Sequence, residues 1–233
     1  MSSPYRAVIF DLFGTLIPSM SPVRFERTLS TMADLLSAER SDFIKQWISE
    51  TWDKRRRGVF ETVEANIEYI CNVLGLNPSA EKISKAVEAR YDYSRSLLLH
   101  PREGTVTTLE ALKHNGLKLG LLTNCSADIP HLWHETRLSH LIDHPTFSCT
   151  TGLVKPDPDS YHSVSKALDV EPRSCVYVGD GSDRELTGAR QVGMHPVLIK
   201  GDDVDPYDEQ LDRKTWNGPV IRRISDILNI VVG

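Results

Sequence analysis

The run Val8-Ile9-Phe10 stops at a lone carboxylate, Asp11, and a Gly14-Thr15 turn follows almost at once. A β-branched and aromatic run that closes before a glycine predicts a buried strand. Asp11 then sits at the strand's carboxyl end, the edge where open α/β sheets bind ligands. Many buried strands end in Asp beside a turn, so this stretch alone says little. Four later stretches give it weight: Thr123-Asn124, Lys155-Pro156, Gly179-Asp180 and the acids that follow Asp180.

The rest of the chain divides by texture. Residues 22 to 98 carry helical periodicity and few strand signals. Phe43, Trp47, Ile48 and Trp52 recur at spacings of three and four, which places them on one helical face. Ile67, Ile70, Cys71 and Leu74 repeat the pattern ahead of Gly75, a helix stop. Asn77-Pro78-Ser79 opens a further helix, with Glu81 close behind. Three to four helices with polar outer faces predict a helical insert of roughly 80 residues, a usual size for a small domain.

From His100 the signals alternate. The pattern predicts a helix at Val106–His114, a strand at Leu117–Leu122 and a helix capped by Asp128 with Pro130 in its first turn. A short strand at Phe147-Ser148-Cys149 and a helix at Ser160–Leu168 follow. Then come a strand at Cys175–Val178, a helix at Arg184–Gln191 and a strand at Val197–Ile199. Residues 201–219 read as an exposed acidic loop before Val220-Ile221 and a closing helix. Such alternation predicts an α/β fold with a doubly wound parallel sheet. The expected division is an α/β core of residues 1–16 and 100–233, with a helical domain at 17–99.

Composition narrows the function classes. A formal net charge of −5 argues against nucleic acid as the main partner. No apolar run is long enough to span a bilayer. The four cysteines form no C-x-x-C pair and no disulfide frame, and no signal peptide precedes Val8. A cytoplasmic protein is expected.

The strand-end groups share a chemistry. A carboxylate such as Asp11 is a competent nucleophile toward phosphorus or an activated carbon. Asp11 and Asp180 together make a hard oxygen site for Mg²⁺. The Lys155 ammonium and the Thr123 hydroxyl can stabilise an oxyanion at the same edge.

In these residues the chain resembles the haloacid dehalogenase-like hydrolase superfamily. Motif one runs from Asp11 to Leu16, motif two is Leu121-Leu122-Thr123-Asn124, motif three Lys155-Pro156 and motif four Val178-Gly179-Asp180. The stretch Leu186–Met194 is similar to the helix that follows motif four. The resemblance implies a Rossmann-like core, a helical cap over the active site, and a covalent intermediate on Asp11. It implies catalytic roles for Asp11, Thr123 and Lys155, and substrate contacts from Asn124, Gly14 and Thr15. It also implies Mg²⁺ held by Asp11, Asp180 and the Phe13 carbonyl. Motif four reads Gly179-Asp180-Gly181-Ser182-Asp183-Arg184-Glu185, and either Asp183 or Glu185 fits as its second acid.

The chain departs from most phosphatases of the superfamily at Phe13, where a second Asp serves as the proton donor. Phe13, together with Lys155 followed six residues later by Tyr161, is similar instead to the 2-haloacid dehalogenases. The expected function is a Mg²⁺-dependent phosphatase acting on a small phosphorylated molecule. The alternatives are a dehalogenase-like hydrolase and a non-catalytic binding protein.

Four further groups have plainer readings. His131, His134, His140 and His144 read as surface or packing residues. Lys54-Arg55-Arg56-Arg57 reads as a solvated helix end, with attraction of an anionic substrate as the alternative. Trp47 and Trp52 read as core of the helical domain. Cys125 falls near the site, with no neighbouring charge to make it reactive.

Overall fold

The structure is a computed structural model that describes residues 3–201 and 211–232. Six strands form one all-parallel sheet: β1 (Ala7–Phe10), β2 (Lys118–Thr123), β3 (His144–Phe147), β4 (Cys175–Gly179), β5 (His195–Ile199) and β6 (Val220–Ile221). Their spatial order is β3-β2-β1-β4-β5-β6. The winding direction reverses between β1 and β4, so the crevice beyond their carboxyl ends is the topological switch point. Asp11 extends that pairing, its N–H donating to the Val178 carbonyl at 2.9 Å.

The strands are buried on both faces. Ala7, Ile9 and Tyr177 face a cluster that Tyr161, Val164, Leu186 and Ala189 complete. Val8, Phe10, Val176 and Val178 face the larger cluster with Leu109, Leu112, Ile227 and Val231. The helices Pro158–Ala167 and Glu185–Gln191 therefore cover one face, and Thr105–His114 and Ile227–Val231 cover the other.

Between β1 and β2, residues 22–98 are helix and loop throughout. The α-helices are Pro22–Leu36, Arg40–Lys45, Trp52–Arg56, Val63–Val73 and Ala80–Leu98, and a π-helical turn at Gln46–Glu50 links the second and third. Ser79 is the N-cap, as the Asn77-Pro78-Ser79 start predicts, and Pro22 holds the first position of its helix. The first and last helices pack along each other, with the Phe25 and Tyr93 rings 5.4 Å apart.

Three local expectations give way. Asp128 does not cap its helix: Ala127 holds that position, and the Asp128 carboxylate turns into a buried polar cluster with Arg90, Ser94 and Ser126. β3 ends at Phe147, because the Ser148 hydroxyl binds the Cys125 N–H at 3.0 Å and opens a short helix, Ser148–Thr151. The 201–219 segment contains a helix, Leu211–Thr215, whose buried Asp212 accepts from the Thr187 N–H at 2.8 Å. Residues 202–210 of that expected loop lie outside the described residues.

The Ser79 hydroxyl is an exposed cap on the 19-residue Ala80–Leu98 helix and accepts from the Lys82 N–H. Ser79→Ala should cost about 1 kcal/mol of unfolding free energy by urea titration, and Ser79→Gly only a few tenths.

Candidate active site

Four strand-end loops meet at the β1/β4 edge. Lys155 lies in the loop before the Pro158–Ala167 helix. Its ammonium is 2.6 Å from Asp11 Oδ1 and 2.6 Å from Glu185 Oε2, and it donates to the Tyr177 hydroxyl at 3.3 Å. All three donors of the lysine are thereby used, and only 2% of the residue is exposed. Asn124 holds the lysine's backbone: its Oδ1 accepts from the Lys155 N–H at 2.9 Å, and its Nδ2 donates to the Lys155 carbonyl at 3.1 Å. The same Nδ2 donates to Asp183 Oδ2 at 2.6 Å. Asn124 thus lines the cavity with its amide already bonded to protein.

Glu185 and Asp183 have different surroundings. Glu185 is fully buried: Oε2 accepts from Lys155 and from the Tyr177 hydroxyl at 2.7 Å, and Oε1 accepts from the Gly181 N–H at 3.0 Å. Asp183 is part-exposed, bonded to Asn124 and 3.7 Å from the Arg56 guanidinium. The buried acid cluster consists of Asp11, Asp180 and Glu185, with one oxygen from each inside a 4.8 Å span. Asp180 Oδ1 accepts from the Ser182 N–H, whereas Oδ2 is buried without a hydrogen-bond partner. The buried Thr123 and Thr15 hydroxyls are likewise unpartnered.

Three buried acids face one lysine, which pairs with two of them, so their charges are poorly balanced. Burial pushes the Asp11 carboxyl up to about 6, against the pull of Lys155 and with a further push from Asp180. Burial and the Glu185 charge push Asp180 up to about 7. Glu185 also rises to about 7 by burial, despite Lys155. Burial alone would lower the Lys155 ammonium, but Asp11 and Glu185 hold it well above its ordinary value. Hard oxygen donors, an orphaned Asp180 oxygen and an excess of negative charge suit a divalent cation such as Mg²⁺.

Gly14 has φ +74°, and a Cβ there would collide with the Asp180 carboxylate. Its carbonyl accepts from the Arg102 guanidinium at 3.0 Å. Neither Gly14, Thr15 nor Thr123 lines the cavity, whereas Asp11, Phe13, Asn124, Lys155 and Asp183 do. Tyr161 is fully buried, donating its hydroxyl to the Glu185 carbonyl at 2.9 Å.

The cavity itself, about 350 Å³, extends from this edge to the helical segment through Met20, Phe25, Ile48 and Trp52. Two expectations change here. Arg55 is not a solvated helix end; it is 5% exposed and lines the cavity. Trp52 is half-buried at the cavity wall, whereas Trp47 is core and stacks on Phe43. Cys125 also lines the cavity, 3.7 Å from the Cys149 sulfur, and burial pushes its thiol well above the ordinary range.

Sequence reasoning passed over Tyr177 and Arg90. Tyr177 is hidden as one more aromatic in a strand. Arg90 had a signal: Ala86, Arg90, Tyr93 and Leu97 form one buried helical stripe, with a cation at an apolar position.

Known proteins share the sequence pattern and the fold. The chain is 26% identical to a glyceraldehyde 3-phosphate phosphatase of Methanopyrus kandleri, over 94% of this chain and 98% of that one. A solved phosphatase from Thermococcus onnurineus superposes with a TM-score of 0.67 at 22% identity, covering 97% of each chain. A solved dehalogenase superposes with a TM-score of 0.60 at 18% identity, covering 98% of each. Residues 5–193 match the haloacid dehalogenase-like hydrolase family. With most of its length matched and a lysine-bridged acid cluster at the switch point, the chain belongs to that family of hydrolases.

Proposed function

We propose that this hydrolase is a Mg²⁺-dependent phosphatase of small phosphomonoesters, working through an aspartyl-phosphate on Asp11. The observation that carries the reading is the buried trio Asp11, Asp180 and Glu185 against the single cation Lys155. Three acids that burial already strains would repel without further positive charge, and a metal-free dehalogenase has no use for that cost. Tyr161 is tied to the Glu185 carbonyl and does not line the cavity, so the Lys155/Tyr161 spacing adds no group for dehalogenation. The fold serves both chemistries and does not separate them.

Asp11 and Asp180 would hold the metal with the Phe13 carbonyl. Glu185, saturated by Lys155, Tyr177 and Gly181, anchors the lysine beside them. The metal would supply charge neutralisation at the phosphoryl oxygens. Lys155 holds Asp11 Oδ1, which leaves Oδ2 to attack phosphorus as the bond to the leaving oxygen breaks. Lys155, which lines the cavity, stabilises the charge on the transferring group. Water then attacks the aspartyl-phosphate, releasing phosphate and restoring the carboxylate. Phe13 offers no proton to the leaving oxygen, so good leaving groups are favoured.

The helical segment 17–99 acts as a cap over the core of 1–16 and 100–233, and the cavity between them fits a small organic phosphate, not a nucleic acid. Among the described residues no helix is long and apolar enough to cross a membrane. The cytoplasm, where the four thiols stay reduced, is the proposed setting.

Asp11→Asn should reduce phosphate release to background while the circular dichroism spectrum stays native. EDTA should abolish turnover and added Mg²⁺ restore it; halide release from a 2-haloacid that survives EDTA would sink the reading. Phe13→Asp should raise kcat on alkyl phosphates by about 10²-fold or more, with a far smaller gain on p-nitrophenyl phosphate, whose leaving group needs no proton.

The raised carboxyls also set a pH dependence. Their folded-state values of about 6, 7 and 7 lie above the ordinary 3.8–4.5. The folded state therefore binds more protons, and metal-free stability should fall as pH rises from about 4 to 7. Mg²⁺ competes with those protons and should stabilise more at pH 8 than at pH 5.5. Near a hundredfold excess over Kd, the gain at pH 8 should be about 2.7 kcal/mol, or about 5–10 °C in Tm. Equal Mg²⁺ shifts at both pH values would remove Asp11 and Asp180 as the ligands.

A further inference from the structure

Two buried guanidiniums line the cavity wall formed by the helical segment. Arg55 is 5% exposed and Arg90 4%, and both share the cavity with Asp11 and Lys155. Among the described residues one carboxylate serves the pair. Asp128 lies 2.9 Å from Arg90, and its oxygens also accept from Ser94 at 2.6 Å and Ser126 at 2.7 Å. Arg55 donates to the Trp47 carbonyl and reaches the Ser126 hydroxyl at 3.5 Å, both neutral groups. Arg55 Nε, Arg90 Nε and Arg90 Nη1 are buried with no hydrogen-bond partner.

The aromatic neighbours hold the planes in place. Arg55 lies over the rings of Trp47 and Trp52, and Arg90 over Phe25, Trp47 and Tyr93. Stacking of this kind orients a guanidinium but leaves its edge donors free. Two cations against one anion leave one positive charge unmatched in a buried wall. Burying such a charge is costly unless a partner arrives. Burial, with the Arg90 charge adding to it, already pulls the Arg55 guanidinium down to about 9.

We propose that Arg55 and Arg90 form a subsite for a carboxylate at the end of the substrate remote from the phosphoryl group. A guanidinium edge matches a carboxylate in shape, and one unmatched charge fits a monoanion better than a second phosphate. The same cavity is lined by Met20, Phe25, Ile48 and Ile129, so a short apolar chain should link the two ends. The favoured substrates are then small carboxyalkyl phosphates. This inference rests on the phosphatase reading for the role of Asp11, though not for the binding of the carboxylate.

The test compares 2-carboxyethyl phosphate with 3-hydroxypropyl phosphate, using the Mg²⁺-loaded protein. Binding of the corresponding non-hydrolysable phosphonates is measured in parallel by calorimetry. The wild type should favour the carboxylate at least tenfold in kcat/KM, mainly through KM, and at least tenfold in phosphonate affinity. Arg55→Gln should bring both ratios toward one, whatever loss the two substrates share, and Arg55→Lys should retain part of the preference. If Arg55→Gln does not fold, the wild-type ratios and Arg55→Lys still decide. Turnover of both esters without preference would overturn the subsite and leave the phosphatase reading intact. Carboxylate-selective phosphonate binding without turnover of either ester would keep the subsite and sink the phosphatase reading. An equal loss on both substrates in Arg55→Gln, with its ratio unchanged, would reduce Arg55 to a brace for Trp47. Stronger selection of propane-1,3-diol bisphosphate than of the carboxylate would overturn the monoanion assignment.

Discussion

Everything at the carboxyl edge of the sheet depends on the buried ammonium of Lys155. It draws Asp11 from just beyond β1 and Glu185 from the helix after β4 onto one point, each at 2.6 Å. Asn124, just beyond β2, clasps the lysine's backbone from the third side. Segments more than a hundred residues apart in sequence thus converge through one side chain. A buried ion pair adds little net stability once desolvation is counted, but removing one partner strands the other at a cost of about 3–5 kcal/mol. The lysine therefore specifies geometry more than it adds stability. The excess of acid around it keeps the site tuned for positive charge.

The architecture was legible because its signals are local. Val8–Phe10, Leu119–Leu122 and Cys175–Val178 are short apolar runs, and the helices between them carry start and stop residues. Asp11, Lys155 and Asp180 could be singled out because each sits where a strand-associated segment leaves the sheet. What remained hidden depends on contacts between distant segments. Spacing left Asp183 and Glu185 open as the second acid of motif four. Their surroundings differ because Arg184 and Asp183 both adopt positive φ, and the chain then carries Glu185 inward under Lys155. Asp128 had the residue type of a cap, and its true partners, Arg90 and Ser94, lie on a helix more than thirty residues upstream.

The helical segment shows the opposite bias. Its basic run, Lys54 to Arg57, looks solvated on composition alone. Yet the π-helical turn at Gln46–Glu50 precedes the short helix that holds Arg55 inside. Turns of this kind occur often at functional sites, and the Trp47 carbonyl beside it is the acceptor for Arg55. A regular helical period through 43–56 would not anticipate that placement. Polar residues inside an apolar stripe, Arg90 above all, are the places where a pattern that fails locally carries information about function.

Gly14 has a consequence for anyone re-engineering the scaffold. The backbone after β1 lies so close to the Asp180 carboxylate that even a methyl group does not fit between them. The two loops therefore behave as one interlocked part, like teeth of a closed zip. A loop transplanted after β4 from a relative must arrive with its matching partner after β1, and libraries that randomise either alone will mostly sample jammed pairs. Diversity is easier to introduce on the far wall, at positions such as Met20 and Ile48, which line the cavity away from this contact.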